Sequence, residues 1–320
     1  MIIGATYKNC VSIKIGYSSI KTPELKSFDV EIGGLISNGE IESDNAIVEF
    51  FRTLLNQKEI DKLEIMHLSK THKLWEQVKN GLGVRSRAIY KLGLEWIGII
   101  RNAKTGEKIN VHSGSTNRTF RKMDRKILKH FKQKLETVVI KTPEQIVSFI
   151  KNAEIIDKKS YHLALGVGIE NNDYWNKMFH AMAQGGYFRG YLLMAEAEPI
   201  AYYQGMVYKD IYYGFLTSYV SDYRNLSPGA YLYRRIVDLL VEENINIYNF
   251  GFGDAEYKRF YGTESKTEAT FRIYGFSTKA RISKFLDQIA VAINENIIRA
   301  LEKTGLLNKI KKMWRSKLSK

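Results

Sequence analysis

In 320 residues the chain holds one cysteine and four prolines, and no run of about twenty apolar residues. A lone thiol at Cys10 excludes an intrachain disulfide. Without a long apolar run, no membrane-spanning helix is expected. The N-terminus lacks the basic, apolar and small-residue succession of a secretory leader, so a cytoplasmic protein is expected. Acidic residues are also scarce: 34 Asp and Glu face 49 Lys and Arg, a net charge of +15. That excess favours anionic partners, whether phosphates, nucleic acid or acidic lipid. The six histidines are scattered, with no spacing that suits a metal, and none is expected. What is abundant is core material. Hydrophobic residues make up 44% and aromatics 12%, including 20 Tyr, which argues against disorder. At roughly 100–200 residues per domain, two domains are expected.

The first half mixes helices and strands. Asp44 is expected to cap a helix with Ile47, Phe50, Phe51, Leu54 and Leu55 on one face, followed by a strand at Leu63–Leu68. Residues 88–100 read as one or two strands. Thr116 or Asn117 is expected to open a long helix with the apolar stripe Phe120, Met123, Ile127, Phe131 and Leu135. The region 101–141 holds twelve basic and three acidic residues. Thr142-Pro143-Glu144-Gln145 is a strong helix start. Further strands are expected at 137–140, 161–167, 191–197, 200–208, 211–219, 245–250 and 270–276. Helices are expected from Asn172 or Asp173 to Ala183, and from Pro228 to about Glu243. Residues 43–68 and 227–252 echo one another as helix, turn and strand, which leaves an internal duplication open.

The sharpest feature is Tyr223-Arg224-Asn225-Leu226-Ser227-Pro228-Gly229-Ala230. Ser227 is expected to be an N-cap, with Pro228 at the first helical position. Gly229 and Ala230 strip bulk from the first turn, so its free N–H groups and dipole can meet a phosphate, with Arg224 adding charge. The second feature is Phe250-Gly251-Phe252-Gly253-Asp254-Ala255-Glu256-Tyr257-Lys258, a glycine-punctuated strand end.

Together these segments resemble the donor site of GNAT-type acyltransferases, and specifically the CelD-like branch of cellulose and exopolysaccharide biosynthesis, which is similar to the Fem-type peptidyltransferases. Ser227 stands where the common phosphate loop has its first glycine. The resemblance implies an α+β fold of tandem GNAT-like lobes, with mixed, mostly antiparallel sheets flanked by helices. We expect a degenerate lobe at 1–140, an acyltransferase lobe at 141–285 and a basic amphipathic helical segment at 286–320 that packs back on the first lobe or rests on an anionic membrane surface. The implied donor is acyl-CoA, acetyl-CoA first, held by Arg224, Ser227, Pro228, Gly229 and Ala230. Lys258, Asp254 and Tyr257 are the expected catalytic residues. Tyr219, Asp222, Arg118 and Arg121 are the expected acceptor contacts. The acceptor is expected to be an amino group on a small or lipid-linked sugar precursor. Two alternatives stand beside this: a Fem-type transferase using aminoacyl-tRNA, and a non-catalytic basic binding protein on the same fold.

Overall fold

A computed structural model of the chain describes residues 1–15, 18–36, 41–83, 88–110, 112–160 and 168–303. The strand expected at 161–167 and the tail from 304 onward lie outside the described residues. In chain order the elements begin with β1 (Ile2–Ile15), β2 (Ser18–Leu35), α1 (Ile41–Asn56), β3 (Lys62–Ser69), α2 (Trp75–Lys79) and β4 (Ile89–Ile99). Next come α3 (Gly114–His130), β5 (Leu135–Ile140), α4 (Pro143–Lys158), α5 (Asp173–Gln184), β6 (Phe188–Ala195), β7 (Glu198–Tyr208) and β8 (Ile211–Tyr219). The last are α6 (Pro228–Glu242), β9 (Ile247–Phe252), α7 (Glu256–Tyr261), β10 (Glu264–Tyr274) and α8 (Thr278–Lys303). The class is α+β, with mixed sheets flanked by helices.

The described residues form two compact units, 1–95 with 266–303, and 96–265. These do not coincide with the expected lobes. The ladder of β5 with β6 runs from Leu135↔Ala195 to Ile140↔Gly190, and it ties residues before 141 to the second unit. The ladder of β10 with β3 ties 268–274 to the first.

In the first unit the strand order is β1-β2-β3-β10-β4. The apolar face of α1 supplies Ile47, Phe51 and Leu55 to a core with Leu63, Ile65, Trp75 and Phe271. The helix begins at Ile41, so Asp44 lies in its first turn rather than at the cap. There its charge still suits the helix dipole. The α8 helix lies against β1 and β2, with Ala280 packed beside Leu25 and Tyr274. Asp287, fully buried on α8, accepts from Tyr274 Oη at 3.1 Å and pairs with Arg272 at 3.0 Å.

In the second unit the order is β4-β9-β8-β7-β6-β5, antiparallel from β5 through β8 and parallel between β8 and β9. Alternation assigns the faces. Leu192 and Tyr202 point to a core with Ile146, Phe149 and Phe179 of α4 and α5. Tyr191, Leu193, Ala201 and Tyr203 point to the opposite core, under Leu232, Ile236 and Leu240 of α6 and Ile127 of α3. Ser113 Oγ caps α3 by accepting from Thr116 N, so this helix starts two to three residues earlier than expected. Thr142 and Lys141 both donate their backbone N–H to Gln145 Oε1, which completes the predicted start of α4. Asn172 Oδ1 caps α5 through Trp175 N.

This core is rich in tyrosine, and its hydroxyls are unequal. Tyr202 Oη donates to Asp157 at 2.7 Å, whereas the Tyr212 hydroxyl is buried without a partner among the described residues. Burial raises the Tyr212 pKa well above its ordinary value. An unpaired buried hydroxyl costs about 1–3 kcal/mol, so Tyr212→Phe should raise the unfolding free energy by about 1 kcal/mol. Urea denaturation checks it, with Tyr202→Phe expected to shift the midpoint the other way.

Candidate active site

The site arises where two parallel strands stop pairing. The β8 and β9 strands pair only at Ile211↔Ile247, Tyr212↔Tyr248 and Tyr213↔Asn249, although both strands continue beyond these positions. Two local causes are visible. In the ladder with β7, Gln204 pairs with Leu216 and Gly205 with Gly214, so Phe215 is an extra residue that bends β8. On β9, Gly251 has φ +69° and gives its N–H to Asn249 Oδ1 at 2.7 Å instead of to a neighbouring strand. The gap becomes a cavity of about 60 Å³ lined by Gly214–Thr217, Tyr203, Tyr248, Phe250, Tyr257 and Lys258.

A second cavity, about 220 Å³, shares Tyr203, Thr217 and Tyr257 with the first and reaches Tyr219, Gly229 and Ala230 at the start of α6. Pro228 occupies the first helical position as expected. Ser227 does not act as a side-chain cap. It adopts the left-handed conformation, φ 52° and ψ 54°, and makes no cap hydrogen bond through its hydroxyl. Its carbonyl instead accepts from Tyr231 N. Left-handed backbone is easiest for glycine, so a serine here carries backbone strain. The preceding turn, Ser221–Leu226, is a 3-10 helix. Lys126 of α3 donates to Asn225 O in it at 3.0 Å, which brings one basic side chain of that helix against the loop.

Lys258 is 8% exposed, and its Nζ donates to Phe252 O at 2.6 Å. Burial lowers its pKa below the ordinary 10.5, and no carboxylate among the described residues offsets the shift. An ammonium has three donors, so two remain for the cleft. Tyr257 forms part of both cavity walls. Asp254 lies off the cleft and accepts two hydrogen bonds from Arg259, each 2.5 Å.

Of the expected residues, Tyr219, Gly229, Ala230 and Tyr257 therefore meet at one cavity, and Lys258 with Tyr257 at the other. Arg224, Asp222 and Arg118 are exposed and line neither, while Arg121 lines a third cavity described below. Tyr203, Thr217 and Asn249 were not singled out from sequence. The Asn-Phe-Gly run at 249–251 was the available clue to Asn249, because an Asn side chain can accept from the backbone N–H two residues on, here that of Gly251. Asn249→Ala should leave Gly251 N–H without its acceptor and let the cleft narrow. A loss of about 1 kcal/mol in stability is expected, with a larger proportional fall in turnover. Chemical denaturation beside steady-state kinetics measures both.

Residues 114–259 match the family model described as the acetyltransferase (GNAT) domain. No curated protein matches the chain by sequence. Among solved structures, the chain is similar to the C-terminal DUF2156 domain of a protein named as a lysylphosphatidylglycerol synthetase from Agrobacterium fabrum. Identity is 11%, coverage 89% of this chain and 88% of that one, and the TM-score 0.53. A conserved protein of unknown function from Bacteroides thetaiotaomicron matches at 11% identity, over 78% of this chain and 82% of that one, with a TM-score of 0.51. FemX matches at 12% identity over 84% and 88%, with a TM-score of 0.49. At these identities the first two likenesses speak for the fold alone.

Proposed function

Taking the GNAT-type acetyltransferase domain of residues 114–259 as premise, we propose that this protein transfers an acyl group, acetyl first, from acyl-CoA to an amine on a sugar or cell-surface polysaccharide precursor. The observation that carries the reading is the pairing of an open helix start at Gly229–Ala230 with a splayed, lysine-bearing cleft, joined by the shared walls Tyr203, Thr217 and Tyr257. The amides and dipole at α6 hold the donor's diphosphate. The cleft takes the thioester end, and its volume of about 60 Å³ favours a short acyl group. The acceptor nitrogen attacks the thioester carbon, and Lys258 stabilises the charge that develops on oxygen. The C–S bond breaks, Tyr257 supplies a proton to the departing thiolate, and the amine's proton passes to solvent. Arg224 contributes charge to the donor loop, and Asp254 sets the position of Arg259 in the last turn of α7. Ser227-Pro228-Gly229 and Tyr257-Lys258 are what support the CelD-like branch within this reading.

The test is calorimetry with coenzyme A and acetyl-CoA on the full chain. Micromolar binding is expected, and no heat at millimolar ligand would overturn the donor assignment. A second reading, aminoacyl-tRNA as donor, draws on the basic α3 helix and its Lys126 contact with the donor loop. Under that reading binding would fall steeply with salt and coenzyme A would have no effect. No described helix is long and apolar enough to cross a membrane. Peripheral attachment at the inner face of the membrane through the basic tail remains a proposal, to be tested by vesicle sedimentation with and without residues 305–320.

A further inference from the structure

A third cavity lies in the second unit between α3, the first half of α6, the end of β4, residues 108–110 and His112. At about 490 Å³ it is the size of a small-molecule site. Lys108, Arg121, Arg234 and Arg235 line it against two carboxylates, Asp124 and Asp238. Those carboxylates are already engaged: Asp124 with Arg234, and Asp238 with Lys108 at 2.5 Å and Arg235 at 3.6 Å. Four cations against two anions leave two positive charges around one hollow. Arg234 is also incompletely satisfied. Its guanidinium sits 4.8 Å over the Phe120 ring and close to the Tyr261 hydroxyl, and among the described residues its Nε and Nη1 are shielded from water without a well-formed hydrogen bond. Donors buried in this way carry a cost that an incoming acceptor relieves.

The lining also carries flat aromatic side chains, among them His112, Phe120 and Tyr261, beside aliphatic ones. Phe120 and Tyr261 lie nearly parallel, 6.3 Å apart, and His112 stacks on Phe260 at 4.9 Å. Burial, and then Arg234, lower the His112 pKa, so the imidazole is neutral near pH 7 and adds no charge to the four cations. Tyr261 forms a wall of this cavity and also of the cavity at Gly229–Ala230. A ligand here is therefore next to the proposed donor.

We infer that this cavity holds the acceptor, and that the acceptor is an amino sugar bearing a phosphate: the ring rests against the aromatic wall, Arg121 and Arg235 take the phosphate, and the amine points past Tyr261 into the donor cavity, whose Tyr203, Thr217 and Tyr257 walls continue into the thioester cleft. The inference rests on the acyltransferase reading and adds the substrate class. Arginine is suited to the task because its planar fork matches phosphate oxygens.

The experiment is calorimetry of the full chain, without coenzyme A, against glucosamine 1-phosphate, glucosamine and inorganic phosphate. The sugar phosphate should bind at least ten-fold more tightly than either fragment. Arg121→Gln and Arg235→Gln, both on exposed side chains whose loss leaves the core intact, should each weaken it about ten-fold. In turnover assays they should raise the acceptor KM and leave the acetyl-CoA KM unchanged. Absent binding, equal binding of bare phosphate, or indifference to both substitutions overturns the inference. Coenzyme A binding is scored separately on the same protein. If coenzyme A binds and the sugar phosphate does not, this inference fails while the acyltransferase reading stands. The opposite pattern removes the acyl-CoA donor and keeps the sugar phosphate site.

Discussion

Lys258→Ala should lower kcat by about 10²–10³-fold, the range found when one donor to a developing oxyanion is removed. The fold should survive. The side chain's polar contact is with Phe252 O, and losing that hydrogen bond costs about 1 kcal/mol. Removing a buried cation that has no carboxylate partner among the described residues offsets part of the cost. The pH profile gives a second readout. Burial disfavours the charged form, so the ammonium gives up its proton below its ordinary 10.5. Stabilisation that needs the cation is complete below that lowered pKa and is lost above it. The wild-type rate should therefore fall on the alkaline side before pH 10.5, and Lys258→Ala should lack this limb. A mutant with unchanged kcat and an unchanged profile would remove Lys258 from the mechanism.

Gly229→Glu should weaken coenzyme A binding about 100-fold while leaving the protein as stable as before, or slightly more so. A side chain fits at this position, since an added Cβ would meet only Tyr219 Cδ1, at 3.7 Å. An acidic residue in the first turn of a helix contributes about 0.3–1 kcal/mol of stability through the dipole. It would also set a negative charge where the donor's diphosphate has to sit. Stability and affinity should thus move in opposite directions, which a general loss of structure could not produce. Thermal denaturation and calorimetry on the same preparation test this. Equal affinity of wild type and mutant would rule out a diphosphate at this helix start.

Most elements of the second unit were legible in the sequence. The strands expected at 191–197, 200–208 and 211–219 correspond to β6, β7 and β8, the first beginning three residues earlier than expected. Pro228 and the small residues after it marked the start of α6. Caps were read less well. Ser113, not Thr116, opens α3, and Ser227 has a left-handed backbone that its residue type does not favour. The lobe boundaries were also placed differently from the compact units, because the partners of β5 and β10 are distant in sequence.

By itself, the order of residues determined where most helices and strands between 114 and 252 lie and which faces are apolar, but not the long strands β1 and β2; it also determined that a helix start free of side-chain bulk is followed by a glycine-rich strand tip and a lysine. These are consequences of neighbouring residues, set by periodicity, turn chemistry and the backbone limits of Pro and Gly. Tertiary structure alone decided that β8 and β9 part after three pairs, that Lys258 is buried beside the gap, and that four basic side chains from α6, α3 and the segment after β4 surround one hollow. The physical reason is that desolvation and charge excess depend on which distant segments are brought together. A lysine or arginine has the same letter in the sequence whether it ends in water or against a cleft.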